Sequence, residues 1–188
     1  MLPETDLLAR CRAQDPRAQR LLYERFAPKM LAVAKRYVRD DDDAHDVLTE
    51  GFIKVFRYLN QFAGRGELAG WIRRIVVHEA LRLLRRRGTL TVSLNDDAGT
   101  GAQLANTLST PATAETELAA ADLWALLDTL PVGYRSVFNL YAVEGFTHPQ
   151  IADLLGIAEG TSKSQLSRAR HMLQRRIVAL HYAPAVAT

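Results

Sequence analysis

A single cysteine, Cys11, stands in a chain of 188 residues. It has no intrachain partner, so a disulfide framework and a cysteine-ligated metal cluster are both excluded. Histidine is sparse and scattered, at positions 45, 78, 148, 171 and 181. None falls in a metalloprotease frame: His78-Glu79 has Arg82, not histidine, four residues after His78. No phosphate-binding glycine loop is present; the glycines fall where helices stop or loops open. The one dense acidic run, Asp40 to Asp43, lacks the spaced oxygens and closing glutamate of a calcium loop. Four carboxylates at a helix start are favourable there without an ion. No apolar run approaches a membrane span, and the N-terminus carries no basic-then-apolar targeting pattern. These absences predict a soluble, cytoplasmic protein that is not an enzyme. They predict no cofactor, no metal, no small-molecule substrate and no direct membrane insertion.

Positive charge is missing from one stretch altogether. Residues 88–115 carry no Lys or Arg and three acids, whereas residues 1–87 carry 18 Lys or Arg against 12 Asp or Glu. Residues 116–188 balance at six each, so the formal net charge of +3 hides a basic first half. Such an excess suits a polyanionic partner. The stretch TLTVSLNDDAGTGAQLANTLSTPAT has no sustained helical period, and its Thr, Ser, Gly, Ala and Asn read as a flexible linker. The expected fold is all-α: two small helical domains, 1–88 and 114–188, joined by a linker over 89–113.

The second domain ends in its clearest motif, THPQIADLLGIAEGTSKSQLSRARHMLQRR, Thr147 to Arg176. Thr147 with Gln150 has capping-box spacing, and Gly156 suits the left-handed residue that ends a helix. A second helix follows from about Glu159. At 100° per residue, Leu166, Ala169, Leu173 and Ile177 share one stripe. Thr161, Ser164, Gln165, Arg168 and Arg175 project to the opposite side. After Glu159 every charged residue to Arg176 is basic, Lys163 included. A short helix, a turn and a longer basic helix form a helix-turn-helix, whose second helix is the kind that enters a major groove. Upstream, helices are expected from Thr113 to Asp128, with Leu118, Leu123, Leu126 and Leu127 inward, and from Pro131 to Gly145.

The first domain reads as four helices. Residues 4–13 place Leu7, Leu8 and Cys11 inward, with Cys11 half-buried. Asp15-Pro16 opens a helix to about Val38, carrying Leu21, Leu22, Phe26, Met30, Val33 and Tyr37; Pro28 predicts a kink or local break. A third runs from the Asp40–Asp43 run to about Phe62, with Val47, Leu48, Phe52, Val55, Phe56 and Leu59 apolar. A basic loop, Ala63-Gly64-Arg65-Gly66, precedes a fourth from Glu67 to Arg87, with Ile72, Ile75, Val76, Ala80 and Leu83 on its core side. Trp71, Arg74, His78, Arg82 and Arg85 fall within about 80° on another side. Aromatics among cations are how single strands of nucleic acid are held, although Trp71 also suits a core. Glu79 projects to the apolar side and needs a partner within the domain.

Both halves together resemble the extracytoplasmic-function (ECF, group IV) sigma factors of bacterial RNA polymerase. The segment from Tyr23 to Arg87 resembles their region 2, and the segment from Leu127 to Leu173 their region 4. The resemblance implies no chemistry of the chain's own, but promoter-specific initiation with core polymerase. It implies that Asp46, Glu50, Phe52 and Lys54 match the surface that docks on the β′ clamp helices. Phe62, Arg65, Trp71, Arg74, His78, Arg82 and Arg85 would match the part that opens and reads the -10 element. Thr161, Lys163, Ser164, Gln165, Arg168 and Arg175 would match the reader of the -35 element. It also implies an anti-sigma factor as regulator. Two positions depart from the pattern: many members have Asn where His78 stands and often Val where Ser162 stands. The resemblance therefore does not fix the -10 preference, and Ser162, on the core side, is expected to cap or back-bond locally. The competing reading is a stand-alone helix-turn-helix regulator; such proteins dimerise on paired half-sites, and the chain shows no dimerisation heptads or ligand domain.

Overall fold

A computed structural model describes residues 3–64, 66–90 and 120–182. Arg65, most of the 89–113 stretch, residues 114–119 with Leu118, and the sequence beyond 182 lie outside the described residues. Every regular element among the described residues is helical. The chain divides into two units, Met1–Arg87 and Gly88–Thr188.

The first unit holds α1 (Glu4–Arg12), α2 (Pro16–Lys35), α3 (Asp41–Tyr58) and α4 (Leu68–Arg86). Asp15 caps α2 by accepting from the backbone N–H of Arg17 at 2.9 Å, with Pro16 behind it in the first turn. The expected break at Pro28 is absent: α2 runs through it. One lost N–H is outweighed by the buried face on both sides, where Leu22, Phe26, Ala27, Met30 and Val33 pack. Asp40 caps α3 through the N–H of Asp43 at 3.0 Å. That helix ends at Tyr58, and a 3-10 turn, Leu59–Gln61, replaces its expected last turn.

α2, α3 and α4 pack on one another, and α1 lies on α2 and the 3-10 turn. Gly51 permits a close approach of α3 and α4: a Cβ there would lie 3.1 Å from Cγ2 of Val76. Three details differ from expectation. Cys11 is fully rather than half buried, and burial pushes its thiol pKa up. Leu21 is exposed, because the α2 core face turns through Ala18 and Leu22 instead. On α4, Ile75 and Leu83 are only half-buried, and Val77, Leu81 and Leu84 fill the core beside Ile72, Val76 and Ala80.

The second unit holds α5 (Ala120–Asp128), α6 (Val132–Phe138), α7 (His148–Leu155) and α8 (Glu159–Tyr182). Its core joins Leu126, Leu127, Leu130, Tyr134, Ala169 and Leu173. Leu123, expected inward, is exposed. Between α6 and α7 the chain widens into a π-helical turn, Asn139–Val143. The capping box forms: the N–H of Thr147 donates to Oε1 of Gln150 at 2.9 Å. Gly156 closes α7 at φ 68°, where a side chain would be strained. α7 packs on α8 in the helix-turn-helix arrangement.

Candidate nucleic-acid interface

On α4, Arg74, His78 and Arg85 stand in solvent, with Trp71 and Arg82 half-buried beside them. Desolvation and the nearby Arg85 charge hold the His78 imidazole below its ordinary 6.5, opposed in part by Glu79. That lowering favours the neutral imidazole, which offers a hydrogen-bonding edge rather than a cation. Arg82 is not a loose charge. It donates to Glu79 at 2.7 Å and approaches Glu50 at 3.7 Å. Glu79, the acid whose place was unexplained, is 5 % exposed and also receives Lys54. The buried carboxylate thus ties α3 to α4 through Lys54, while Arg82, on its own helix, reaches toward Glu50 of α3.

Phe62 departs from its expected role. Its ring is buried and packs on Trp71, with centroids 5.5 Å apart and planes at 44°. A ring committed to the core cannot stack on a base, so Phe62 anchors the loop while Trp71 carries the partly open face. Trp71 itself is half-buried, in ring contact with Phe62.

The α3 surface divides likewise. Asp46 and Glu50 are exposed. Phe52, expected on the docking surface, is instead 2 % exposed and meets Tyr23 edge-to-face at 4.8 Å, so it supports this surface from below. Lys54 is bound to Glu79. A cleft of about 350 Å³ lies between α3 and α4, with Asp46, Thr49 and Glu50 on one wall and Arg82 and Arg86 on the other. Elsewhere on the helix pair Asp43 receives the Arg87 guanidinium through both oxygens, so Arg87 closes the pair rather than extending the basic stripe.

On α8, Lys163, Ser164 and Arg175 are exposed and Thr161 half-buried. Lys163 pairs with Glu159 at 2.6 Å, which draws the Glu159 carboxyl pKa down. The Ser164 hydroxyl donates to the Thr161 carbonyl at 3.0 Å. Arg168 is half-buried and donates to the Tyr134 hydroxyl at 3.2 Å, which holds its guanidinium in one direction. Gln165 departs from expectation: it is buried, not on the open face. It precedes Ala169 by four residues, which places both on the α6 side of the helix. Ser162 is fully buried as projected, but it neither caps nor back-bonds. Its hydroxyl shares a 2.9 Å hydrogen bond with Nδ1 of His148 on α7. The His148 ring stacks on Tyr141 at 4.8 Å, and the Arg170 guanidinium lies 5.6 Å from the Tyr141 centroid. Nothing in the sequence alone pairs His148 with Ser162.

Among the described residues, no cluster of His, Cys, Asp and Glu could hold a metal ion, and no helix is long and apolar enough to cross a membrane. What both units present is cationic and aromatic surface on rigid helices, which suits a polyanion with exposed bases.

Comparison with known proteins agrees. Residues 22–89 match the family described as Sigma-70 region 2, and residues 120–173 match Sigma-70, region 4. The ECF RNA polymerase sigma-E factor of Haemophilus influenzae is 30% identical over 95% of this chain and 97% of its own length. The sigma-E factor of Escherichia coli is 27% identical over 95% of this chain and 96% of its own. Among solved structures, the Bartonella quintana sigma factor RpoE, seen in complex with the anti-sigma factor NepR, superposes with a TM-score of 0.51. It is 24% identical and covers 84% of this chain and 95% of that one, a likeness of fold. The chain belongs to the ECF sigma factors, the non-enzymatic subunits that bind RNA polymerase core and direct it to promoter DNA.

Proposed function

We propose that the two units divide the promoter between them. The unit over residues 1–88 docks on the β′ clamp helices through the exposed carboxylates Asp46 and Glu50. Phe52 stiffens that surface from within, and Lys54 braces it through Glu79. The loop after Phe62 and the α4 stripe of Trp71, Arg74, His78, Arg82 and Arg85 open and read the -10 element. Aromatic stacking on Trp71 would offset the lost base stack by ~1–3 kcal/mol per base. The unit over 114–188 reads the -35 element through α8. Lys163, Arg168 and Arg175 meet phosphates or guanine edges, and Thr161 and Ser164 meet base edges. Residues 89–113 form the linker.

The observation that carries this reading is the pair of exposed basic helix faces, one on each unit, in the chain order of the two matched regions. The test is in-vitro transcription by this chain with core enzyme on a random promoter library. We expect start sites that share two sequence blocks, with Arg74→Ala and Arg85→Ala weakening use of the downstream block. A palindromic footprint made without polymerase would instead favour a stand-alone regulator.

The protein works in the cytoplasm, where polymerase is. An anti-sigma factor holds it inactive, as a complex of this kind is formed by the Bartonella relative. Purification of the native protein from unstimulated cells should bring an inhibitor with it, and recovery of free, active protein would count against this.

A further inference from the structure

We propose that Arg12, on a helix outside the matched region 2, is a positioning residue for the loop that handles the -10 element. The match to region 2 begins at residue 22, so all of α1 precedes it. Yet Nη2 of Arg12 donates to the backbone carbonyl of Phe62 at 2.8 Å, across fifty residues of sequence. Phe62 closes the 3-10 turn through its N–H, and its carbonyl stands where the chain passes from that turn into the loop.

Phe62 is gripped in three ways. Its N–H donates to the Leu59 carbonyl at 3.2 Å, its ring is buried against Trp71, and its carbonyl takes the Arg12 guanidinium. Gly64 and Gly66 lie at φ 70° and 87°, and a Cβ built on either would meet nothing within 4 Å. The direction in which the loop sets out is therefore fixed at Phe62. A carbonyl at the end of a helical turn has no partner of its own, and a guanidinium supplies a strong, directional one.

α1 is a firm base for this brace. Leu7, Leu8 and Cys11 are buried, and Arg10 pairs with Asp15 at 2.6 Å across the turn to α2. Arg12 itself ends α1 in its last turn, where the helix dipole favours a cation. The same arginine thus finishes one helix and aims the loop beside Trp71.

The proposal rests on the assignment of that loop to the -10 element, so the experiment separates the two. The full chain is assembled with core polymerase on a promoter recovered from the random library. Each template is used both as a duplex and with a preformed mismatch bubble over the -10 region. Arg12→Met keeps the apolar stem and removes the donor; Arg12→Lys keeps a donor; Trp71→Ala tests the assignment. Core affinity and melting temperature are measured for each.

Arg12→Met should lower open-complex formation on duplex about tenfold, the weight of a charged hydrogen bond. It should leave the bubble template and core affinity near wild type, and Arg12→Lys should recover most of the loss. Wild-type behaviour of Arg12→Met beside a defective Trp71→Ala would overturn the proposal alone. Equal losses on duplex and bubble would also overturn it, since a folding or docking defect acts on both. If Trp71→Ala is harmless on duplex, the -10 assignment fails and the proposal falls with it.

Discussion

Ser162 is without access to water, and its hydroxyl depends on one partner, His148. Replacing His148 by Ala strands a buried polar group, which should cost the second unit about 1–3 kcal/mol in urea unfolding. Adding Ser162→Val should return much of that, because both partners are then apolar. Glu79 is the equivalent in the first unit. Glu79→Ala removes the shared acceptor of Lys54 and Arg82 and should cost about 3 kcal/mol, held at the low end by the water that reaches both cations. His78 titrates the other way from a salt-bridged histidine. Its pKa in the folded protein is lowered by desolvation and Arg85, so the fold takes up its proton less readily than the unfolded chain. The stability this gives is present above the ordinary 6.5 and lost as pH falls through the lowered value. His78→Asn should flatten that acid limb of the stability profile. At this scale the sequence was least legible. The period of the helix puts Ser162 and Glu79 inward but points to neither His148 nor Lys54, because a partner on another helix leaves no periodic trace. Phe52 shows the converse: its place on the Leu48–Phe52–Val55 stripe already marked it as core, and only the resemblance moved it outward.

Helices are more legible in the sequence, since a period of 3.6 and a cap are local facts. Asp15-Pro16, Asp40 and Thr147 each start the helix they were expected to start. The errors lie at edges. α3 yields its last turn to a 3-10 turn, and the π turn at Asn139–Val143 has no sequence signature in a single chain. Gln165 was misplaced because it sits at the margin of the α8 core stripe, where a projection angle does not decide between neighbour and solvent. The two outcomes on α8 separate by experiment. Arg175→Ala should weaken -35 DNA binding about equally across sequences and reduce the salt slope by about one. Gln165→Ala should act first on unfolding of the second unit, with base preference retained. A changed base preference at unchanged stability would return Gln165 to the reading face.

For the whole molecule, composition had already separated the parts. A stretch without Lys or Arg lies between two segments that carry all 24, and the two matched regions fall on either side of it. If each unit grips its own promoter element, the chain between them acts by concentration. Once one unit is bound, the other is confined near its site, and linked binding can exceed either separate affinity by about 10²–10⁴. A protease site placed within 95–110 tests this without touching either basic face. Cleavage should leave binding of the first unit to core polymerase intact, and lower promoter-specific transcription by about a hundredfold or more at dilute protein. Raising the concentration of the free second unit should restore it in part, because a tether only substitutes for concentration. Should cleaved and intact protein initiate equally well at dilution, the second unit contributes no binding that depends on the first. The -35 contact would then have to be held by polymerase instead.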